Sequence, residues 1–422
     1  MYIVGGRMKK RFLVVIFFML FFNISVVFGD KVVVNDKSIY SNPDISLKGK
    51  NIILYNLDDD VILYEKNSDL KVQIASLTKI MTVYTLIENV KDLNKEVVIT
   101  GDIFNGISDY SQAGLRVGDK VTYMDLLYGI MLPSGADCVN AAIKNLGVSK
   151  EEFINLMNNV AKKMGLTNTK FDNAVGMDSK NNYSTAKEVA IMLKKALAND
   201  IFKKVYTAKK YTMSNGLNIK STLLIYGRAF NTNNFLGAKS GYTDGAGVCL
   251  SSIAKYGDVN YLLIVLGASS VLRSNAVLDS VKIYDYYNNN YSYRNVVSKN
   301  KIIKKLDVKW GKQKKYSVKA NKDIEMYLDN SLDLNKVKYQ YKGLEEIKYN
   351  NKKGEKLGKV LIKYEDKLLT EFDVYLDKKL EFYHPVLYTI LFLIFLCILL
   401  IILKIRKKRK KRKKRKRKKK RK

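Results

Sequence analysis

Three observations predict an α/β (α+β) sandwich followed by a small all-β domain and one transmembrane helix. Strand-like apolar runs stand at both ends of the stretch from Asn51 to Tyr287, with helical patterns between them, so its terminal segments belong to one sheet. Beyond Asn295 the texture changes to short alternating stretches separated by polar turns. From Val386 to Leu403 the chain is uncharged and almost wholly apolar.

Asn51–Asn56 and Val61–Glu65 read as a hairpin around Leu57-Asp58-Asp59-Asp60. The segment from Ser76 to Ile87 is apolar on several faces, which predicts a helix buried nearly all round. Helical patterns follow over Met124–Leu132, Ala136–Leu146, Glu151–Met164 and Thr185–Leu197. Strands return around Tyr211 and over Ala238–Tyr242, Gly247–Ala254 and Tyr261–Ala268, before a helix over Ala276–Tyr287. The alternating stretches Ile302–Val308, Lys315–Ala320, Val337–Tyr341 and Lys359–Tyr364 then define the β module.

Both ends carry membrane signals. Arg7, Lys9, Lys10 and Arg11 precede an apolar run from Phe12 to Phe28 that ends in Gly29-Asp30, a signal-peptide pattern over 1–29 whose alternative is an uncleaved anchor. Met8 is a second candidate start. Eighteen residues from Val386 to Leu403 make about 27 Å of helix, enough to cross most of a hydrocarbon core. Every residue from Lys404 to Lys422 except Ile405 is Lys or Arg, which places that tail in the cytoplasm and the body outside.

Of the +35 net charge, the tail carries eighteen and the N-terminal segment four, leaving +13 on the rest. The tail suits topological locking and attraction to anionic lipid, at about 1 kcal/mol per basic residue, and no specific nucleic-acid partner is expected. Cys138, Cys249 and Cys397 lack the spacing of a disulfide framework or a zinc site, so packed free thiols, no metal and no cofactor are expected. Trp310 and its neighbours Lys309, Lys312, Lys314 and Lys315 admit two readings, contact with wall polymer or an edge strand made soluble by lysines.

The only histidine, His384, lies at the edge of the membrane span, so any serine chemistry must run on lysine. Ser76 and Lys79 stand three apart on a helix, about 5 to 6 Å between Cβ atoms. A solvated lysine titrates near ~10.4 and a working base wants roughly 7 to 8, on the order of 4 kcal/mol that burial beside other cations can supply. Ser-x-x-Lys alone selects nothing here, because it recurs at Ser68/Lys71, Ser184/Lys187, Ser252/Lys255 and Ser298/Lys301. What selects Ser76 is the first turn of a buried helix, where the dipole and free N–H groups favour developing negative charge.

Two further elements fall in order: Ser134-Gly135-Ala136-Asp137 after Met131-Leu132-Pro133, and Lys239-Ser240-Gly241 before Tyr242-Thr243. With Ser76-Leu77-Thr78-Lys79 they resemble the three active-site motifs of penicillin-recognising serine enzymes, specifically the low-molecular-mass D-alanyl-D-alanine carboxypeptidases of peptidase family S11. Gly118-Asp119-Lys120-Val121-Thr122, Phe171-Asp172-Asn173 with Gly176-Met177-Asp178, and Asn182-Tyr183-Ser184-Thr185-Ala186 extend the resemblance over about Asn51 to Tyr287.

The resemblance implies a β-lactamase/transpeptidase-like catalytic domain over 30–295 with a central antiparallel sheet and a helical cluster. A β-rich domain over 296–380, a transmembrane helix over 386–403 and a cytoplasmic tail over 404–422 would follow. It implies that Ser76 attacks the carbonyl between two terminal D-alanines of a peptidoglycan stem peptide, with Lys79 taking its proton. Ser134 would relay protons, the N–H groups of Ser76 and Tyr242 would form the oxyanion hole, and Lys239, Ser240 and Gly241 would hold the substrate's end. β-Lactams would be trapped as covalent inhibitors.

Ser240 replaces the more usual threonine and keeps the hydroxyl. Ala136 replaces the asparagine of Ser-x-Asn and loses a hydrogen bond or two, about 1 to 3 kcal/mol; Asp137 and Asn140 are the nearest polar substitutes. Two rivals follow. A silent wall-binding scaffold would release no D-alanine, and a β-lactamase would turn penicillin over, although the stretch from Lys150 to Lys209 offers no convincing glutamate for that.

Overall fold

The computed structural model describes residues 43–419. The signal-peptide expectation over 1–29 and the last three tail residues lie outside the described residues. The chain opens with β1 (Asn51–Asn56) and β2 (Val61–Lys66), then α1 (Thr78–Asn89). The short pair β3 (Glu96–Val98) and β4 (Lys120–Thr122) precedes α2 (Tyr123–Met131), α3 (Ala136–Leu146), α4 (Lys150–Lys163), α5 (Ala186–Ala196) and α6 (Asp200–Thr207). A second short pair, β5 (Lys210–Thr212) and β6 (Asn218–Lys220), and the single turn α7 (Leu223–Tyr226) lead to β7 (Phe235–Thr243), β8 (Gly247–Tyr256), β9 (Val259–Ala268) and α8 (Asn275–Asn290).

β1, β2, β7, β8 and β9 form one antiparallel sheet in the order β2-β1-β9-β8-β7, so the first and last strands of the domain are neighbours at its centre. Residues of β1 and β9 alternate between two buried layers. Ile53, Tyr55, Leu262, Ile264 and Leu266 face the helices, whereas Ile52, Leu54, Leu263 and Val265 face α8. A strand covered on both faces needs no polar side, which is why these runs read as continuously apolar. β2 and β7 are its edges.

α1 is buried from Thr78 to Val83 and again at Thr85 and Leu86, as the mixture of apolar faces predicts. Burial of Leu77, Ile80, Met81, Val83 and Leu86 contributes about 1.5 to 3 kcal/mol each and offsets the cost of carrying Lys79 into the same core. The helix differs from expectation at its start: Ser76 lies in a separate 3-10 turn, Ala75–Leu77, entered through Ala75 at φ +47°.

The β module comprises β10 (Tyr291–Val297), β11 (Ile302–Lys309), β12 (Lys315–Lys319), β13 (Ile324–Asp329), β14 (Val337–Gly343), β15 (Glu346–Lys348), β16 (Lys356–Tyr364) and β17 (Lys367–Tyr375). They pair as β10-β13, β12-β11-β15 and β14-β16-β17. The module does not have a core of its own throughout, since Val296, Ile324, Met326, Tyr327 and Ile362 share one buried cluster with α8 and the outer face of the central sheet.

Tyrosines make that junction. The Tyr327 hydroxyl lies 2.5 Å from that of Tyr261 and donates to the Tyr287 carbonyl at 2.9 Å, and Tyr293 donates to Asp59 at 2.9 Å. Burial raises the pKa of Tyr261 to about 12, so these hydroxyls stay neutral donors at any physiological pH. The aromatic abundance of this region is core, with Tyr284, Tyr287, Tyr291 and Tyr327 all buried.

The final helix, α9 (Pro385–Lys419), continues from the apolar run into the basic tail, and by length and composition it is a candidate membrane span. Cys138 and Cys249 are buried with their thiol pKa raised by burial, which makes them inert packing groups.

Candidate active site

A cavity of about 230 Å³ opens where the start of α1, the α2–α3 turn and the edge strand β7 meet. Ser76, Lys79, Ser134, Ser240, Gly241 and Tyr242 line it together, so residues up to 166 positions apart in sequence share one wall. Lys239 is placed differently. It is fully buried beneath the cavity, and its Nζ donates to the Ser240 carbonyl at 2.7 Å.

Lys79 Nζ lies 3.1 Å from Ser76 Oγ and donates to the Val175 carbonyl at 2.6 Å. Burial lowers the pKa of Lys79 to about 7, against a smaller opposing pull from the Asp137 carboxylate. Lys239 is lowered well below its ordinary value, first by burial and then by the charge of Lys79. In the neutral amine an N–H still satisfies Val175, which leaves the lone pair for the serine oxygen. The carbonyl of Val175 therefore orients the Lys79 amine toward Ser76.

Sequence reasoning missed Val175, and the signal was the glycine after it. Gly176 has φ +85°, and a Cβ there would sit 2.1 Å from the Ala75 carbonyl oxygen. Only glycine lets this loop pass beneath the residue that precedes Ser76. Gly241 makes the matching close approach from the other side, since its Cβ would meet the Ser76 nitrogen at 2.8 Å. The two glycines bring β7 and the 175–176 loop against the 3-10 turn, in which Leu77 N–H already bonds the Ile74 carbonyl and the earlier Ser76 N–H has no partner within the turn.

Ser134 is held in the left-handed region at φ +68°, and its Oγ is buried without a hydrogen-bond partner among the described residues. An orphaned buried hydroxyl is costly, about 1 to 3 kcal/mol, and marks a place for an incoming polar group. Ser240 Oγ is oriented by donation to Thr222 Oγ1 at 2.8 Å.

Neither polar substitute for Ala136 reaches the cavity. Asp137 turns away and accepts N–H groups of Ala113, Gly114, Leu115 and Cys138, fixing the loop whose Asp109, Tyr110 and Ser111 line the opposite wall. Asn140 donates to the Ile103 carbonyl at 2.7 Å, so its amide is already used. Ala136→Asn is accordingly expected to raise the rate of penicillin acylation by about 5- to 10-fold, the value of one added hydrogen bond, measured with a fluorescent penicillin in stopped flow. An unchanged or lower rate would show that the site is built around the alanine.

Arg273 also lines the cavity without belonging to any motif. Its guanidinium lies over the Tyr242 ring at the outer mouth. No periodicity marks it, because it stands in an exposed turn between β9 and α8.

A half-buried serine beside a buried lysine, an orphan hydroxyl and a glycine-lined edge strand together form the kind of site that serine acyl transfer uses. The D-alanyl-D-alanine carboxypeptidase family, peptidase S11, matches residues 37–270, and the penicillin-binding protein 5 C-terminal domain family matches residues 291–381. The chain belongs to the S11 D-alanyl-D-alanine carboxypeptidases.

It is 31% identical to D-alanyl-D-alanine carboxypeptidase DacF of Bacillus subtilis (strain 168) over 342 residues, covering 78% of this chain and 85% of the relative. The Streptomyces K15 DD-transpeptidase crystal structure superposes with TM-score 0.53 at 29% identity, over 58% of this chain and 98% of that one. D-alanyl-D-alanine carboxypeptidase DacD from Francisella tularensis shares the fold at TM-score 0.63 and 20% identity, over 82% of this chain and 96% of its own.

Proposed function

We propose that this serine D-alanyl-D-alanine carboxypeptidase removes the terminal D-alanine of peptidoglycan stem pentapeptides through an acyl-enzyme on Ser76. The observation that carries the reading is the pair formed by Ser76 Oγ and a buried Lys79 whose pKa has fallen to about 7. Neutral Lys79 Nζ takes the hydroxyl proton as Oγ bonds to the penultimate D-alanine carbonyl carbon. The N–H groups of Ser76 and Tyr242 stabilise the oxyanion. As the C–N bond breaks, the proton passes from Lys79 through Ser134 to the leaving amine, and water then attacks the ester by the reverse relay. A β-lactam carbonyl enters the same steps but its amine stays tethered, so deacylation stalls.

Two basic side chains, Arg273 and Lys239, serve the end of the site that receives the substrate's carboxylate. Arg273 at the mouth offers a bidentate fork, whereas Lys239 acts from below as the hydrogen-bonding support of Ser240. Arg273→Ala is expected to raise KM for a Lys-D-Ala-D-Ala peptide about tenfold, with a smaller change in kcat. A loss confined to kcat would remove it from substrate binding.

The body lies outside the membrane, α9 spans it and the basic end of the chain is cytoplasmic; the apolar span beside a run of Lys and Arg supports this orientation. The catalytic and β-rich domains are read as 30–295 and 296–380, a division that falls within β10, whose pairing with β13 begins at Tyr291.

The test is D-alanine release from the peptide by wild type and Ser76→Ala across a pH series. Release should vanish in the variant. In the wild type kcat/KM should fall about tenfold per pH unit below about 7 and level off above it, because the base must be neutral. A profile flat down to pH 5 would exclude Lys79 as the base.

A further inference from the structure

We propose that the turn carrying Trp310, together with Tyr383 and Tyr388, seats the β module in the lipid interface at the point where α9 enters the bilayer. The proposal rests on reading α9 as a membrane span.

The turn between β11 and β12 is tied to the chain that leads into the helix. Tyr383 N–H donates to the Trp310 carbonyl at 3.0 Å, Lys312 N–H donates to the Glu381 carbonyl at 2.8 Å, and Gly311 and Phe382 form an antiparallel bridge. α9 begins at Pro385, two residues after Tyr383. A turn hydrogen-bonded this close to the helix start lies at the depth where the chain passes from water to hydrocarbon.

The side chains suit that depth. Trp310 is 63% exposed and Tyr388 68% exposed, and Tyr383 adds a third exposed ring. Trp and Tyr favour the headgroup level because one end of each is apolar and the other hydrogen-bonds. Trp310 also holds φ +60°, a conformation that a bulky residue adopts only under strain. Burial within the fold does not offset that strain, since the indole points largely into open space.

The neighbouring lysines do not form a bare cationic patch for an anionic polymer. Lys309 pairs with Glu346, Lys312 with Glu381 and Lys315 with Asp307, while Lys314 lies over the Tyr383 ring. With three of these four lysines paired to carboxylates and the fourth lying over a ring, the turn presents aromatic side chains and little free charge of its own, which favours a bilayer interface over a polyanion.

Trp310 is the single tryptophan in the sequence, so intrinsic fluorescence reports on this turn alone. The full chain is reconstituted into phosphatidylcholine vesicles containing lipids brominated either near the carbonyl end or near the methyl end of the acyl chain. Cys397 lies in the span and is exposed, whereas Cys138 and Cys249 are buried, so a bimane label placed on it without denaturation reports insertion of α9 independently.

The expected result is quenching of bimane by the deep bromines and quenching of Trp310 at least about twofold by the shallow ones, with reduced access to acrylamide. Tyr383→Ala combined with Tyr388→Ala should lessen the tryptophan quenching. Bimane quenched while Trp310 is unaffected by either lipid would overturn the seat and leave the span intact. Neither probe quenched would overturn both. Protection of Trp310 by added peptidoglycan fragments without bromine quenching would assign the patch to wall polymer and likewise overturn the proposal.

Discussion

Replacing Lys79 with methionine is expected to cut D-alanine release and penicillin acylation by about three to four orders of magnitude, and at the same time to make the protein more stable at neutral pH. The first effect is the loss of the general base, typically worth about 10² to 10⁴, together with the group that returns the proton to the leaving amine. The second follows from linkage. Unfolding lets Lys79 recover its ordinary pKa of 10.5 from about 7, so between those values the unfolded chain binds the extra proton. The penalty on the folded state is fully present below about 7, shrinks as pH rises and is gone above about 10.5.

At pH 7 that penalty amounts to about 4 kcal/mol at 1.36 kcal/mol per pH unit. Methionine removes it but leaves the Val175 carbonyl unpaired, at about 1 to 3 kcal/mol, for a net gain of about 2 kcal/mol. Urea denaturation at pH 7 and pH 10 checks both sign and window. The gain should narrow at the higher pH, and a variant destabilised at both would mean that Lys79 is charged and paired in the folded state.

Gly176→Ala is the second large effect. The new methyl would fall 2.1 Å from a backbone oxygen that cannot swing aside, at a φ of +85° that alanine adopts only with strain. Left-handed strain of about 1 to 2 kcal/mol and overpacking of about 1 to 3 kcal/mol together predict about 3 kcal/mol of destabilisation. Activity should suffer more than stability implies. Relief of the clash moves the Val175 carbonyl off Lys79 and Ala75 off its conformation, so at temperatures where the variant is still folded kcat should fall by more than about 100-fold. Circular dichroism with fluorescent-penicillin labelling separates the two. Full labelling rates in a folded variant would show that the 175–176 loop does not position the base.

The framework was legible because it rests on local pattern. Runs such as Ile52-Ile53-Leu54 and Leu262-Leu263-Ile264 are apolar without alternation, as strands covered on both faces must be, and α1 is apolar on several faces because it is buried over most of its length. Ser76, Lys79 and Ser134 stood out through spacing on helix starts and turns. Val175 and Gly176 did not, because their contact with α1 joins positions 96 residues apart and leaves no periodic trace. Asn140 illustrates the same limit. Its spacing from Ala136 suggested a substitute for the missing amide, yet the Ile103 carbonyl, 37 residues away, holds it elsewhere. In the β module the individual strands were visible, but the parallel pairing of β11 with β15 links distant segments and could not be read from alternation.

The tyrosine junction between α8 and β13 has a geometric corollary. With Tyr261, Tyr287 and Tyr327 in one buried cluster, the outer face of the catalytic sheet and the module above α9 share a core and resist moving apart. On the proposed topology the molecule is then a rigid gauge: it works at one altitude over the bilayer, and the stem peptides it trims are those that pass through that stratum of the wall.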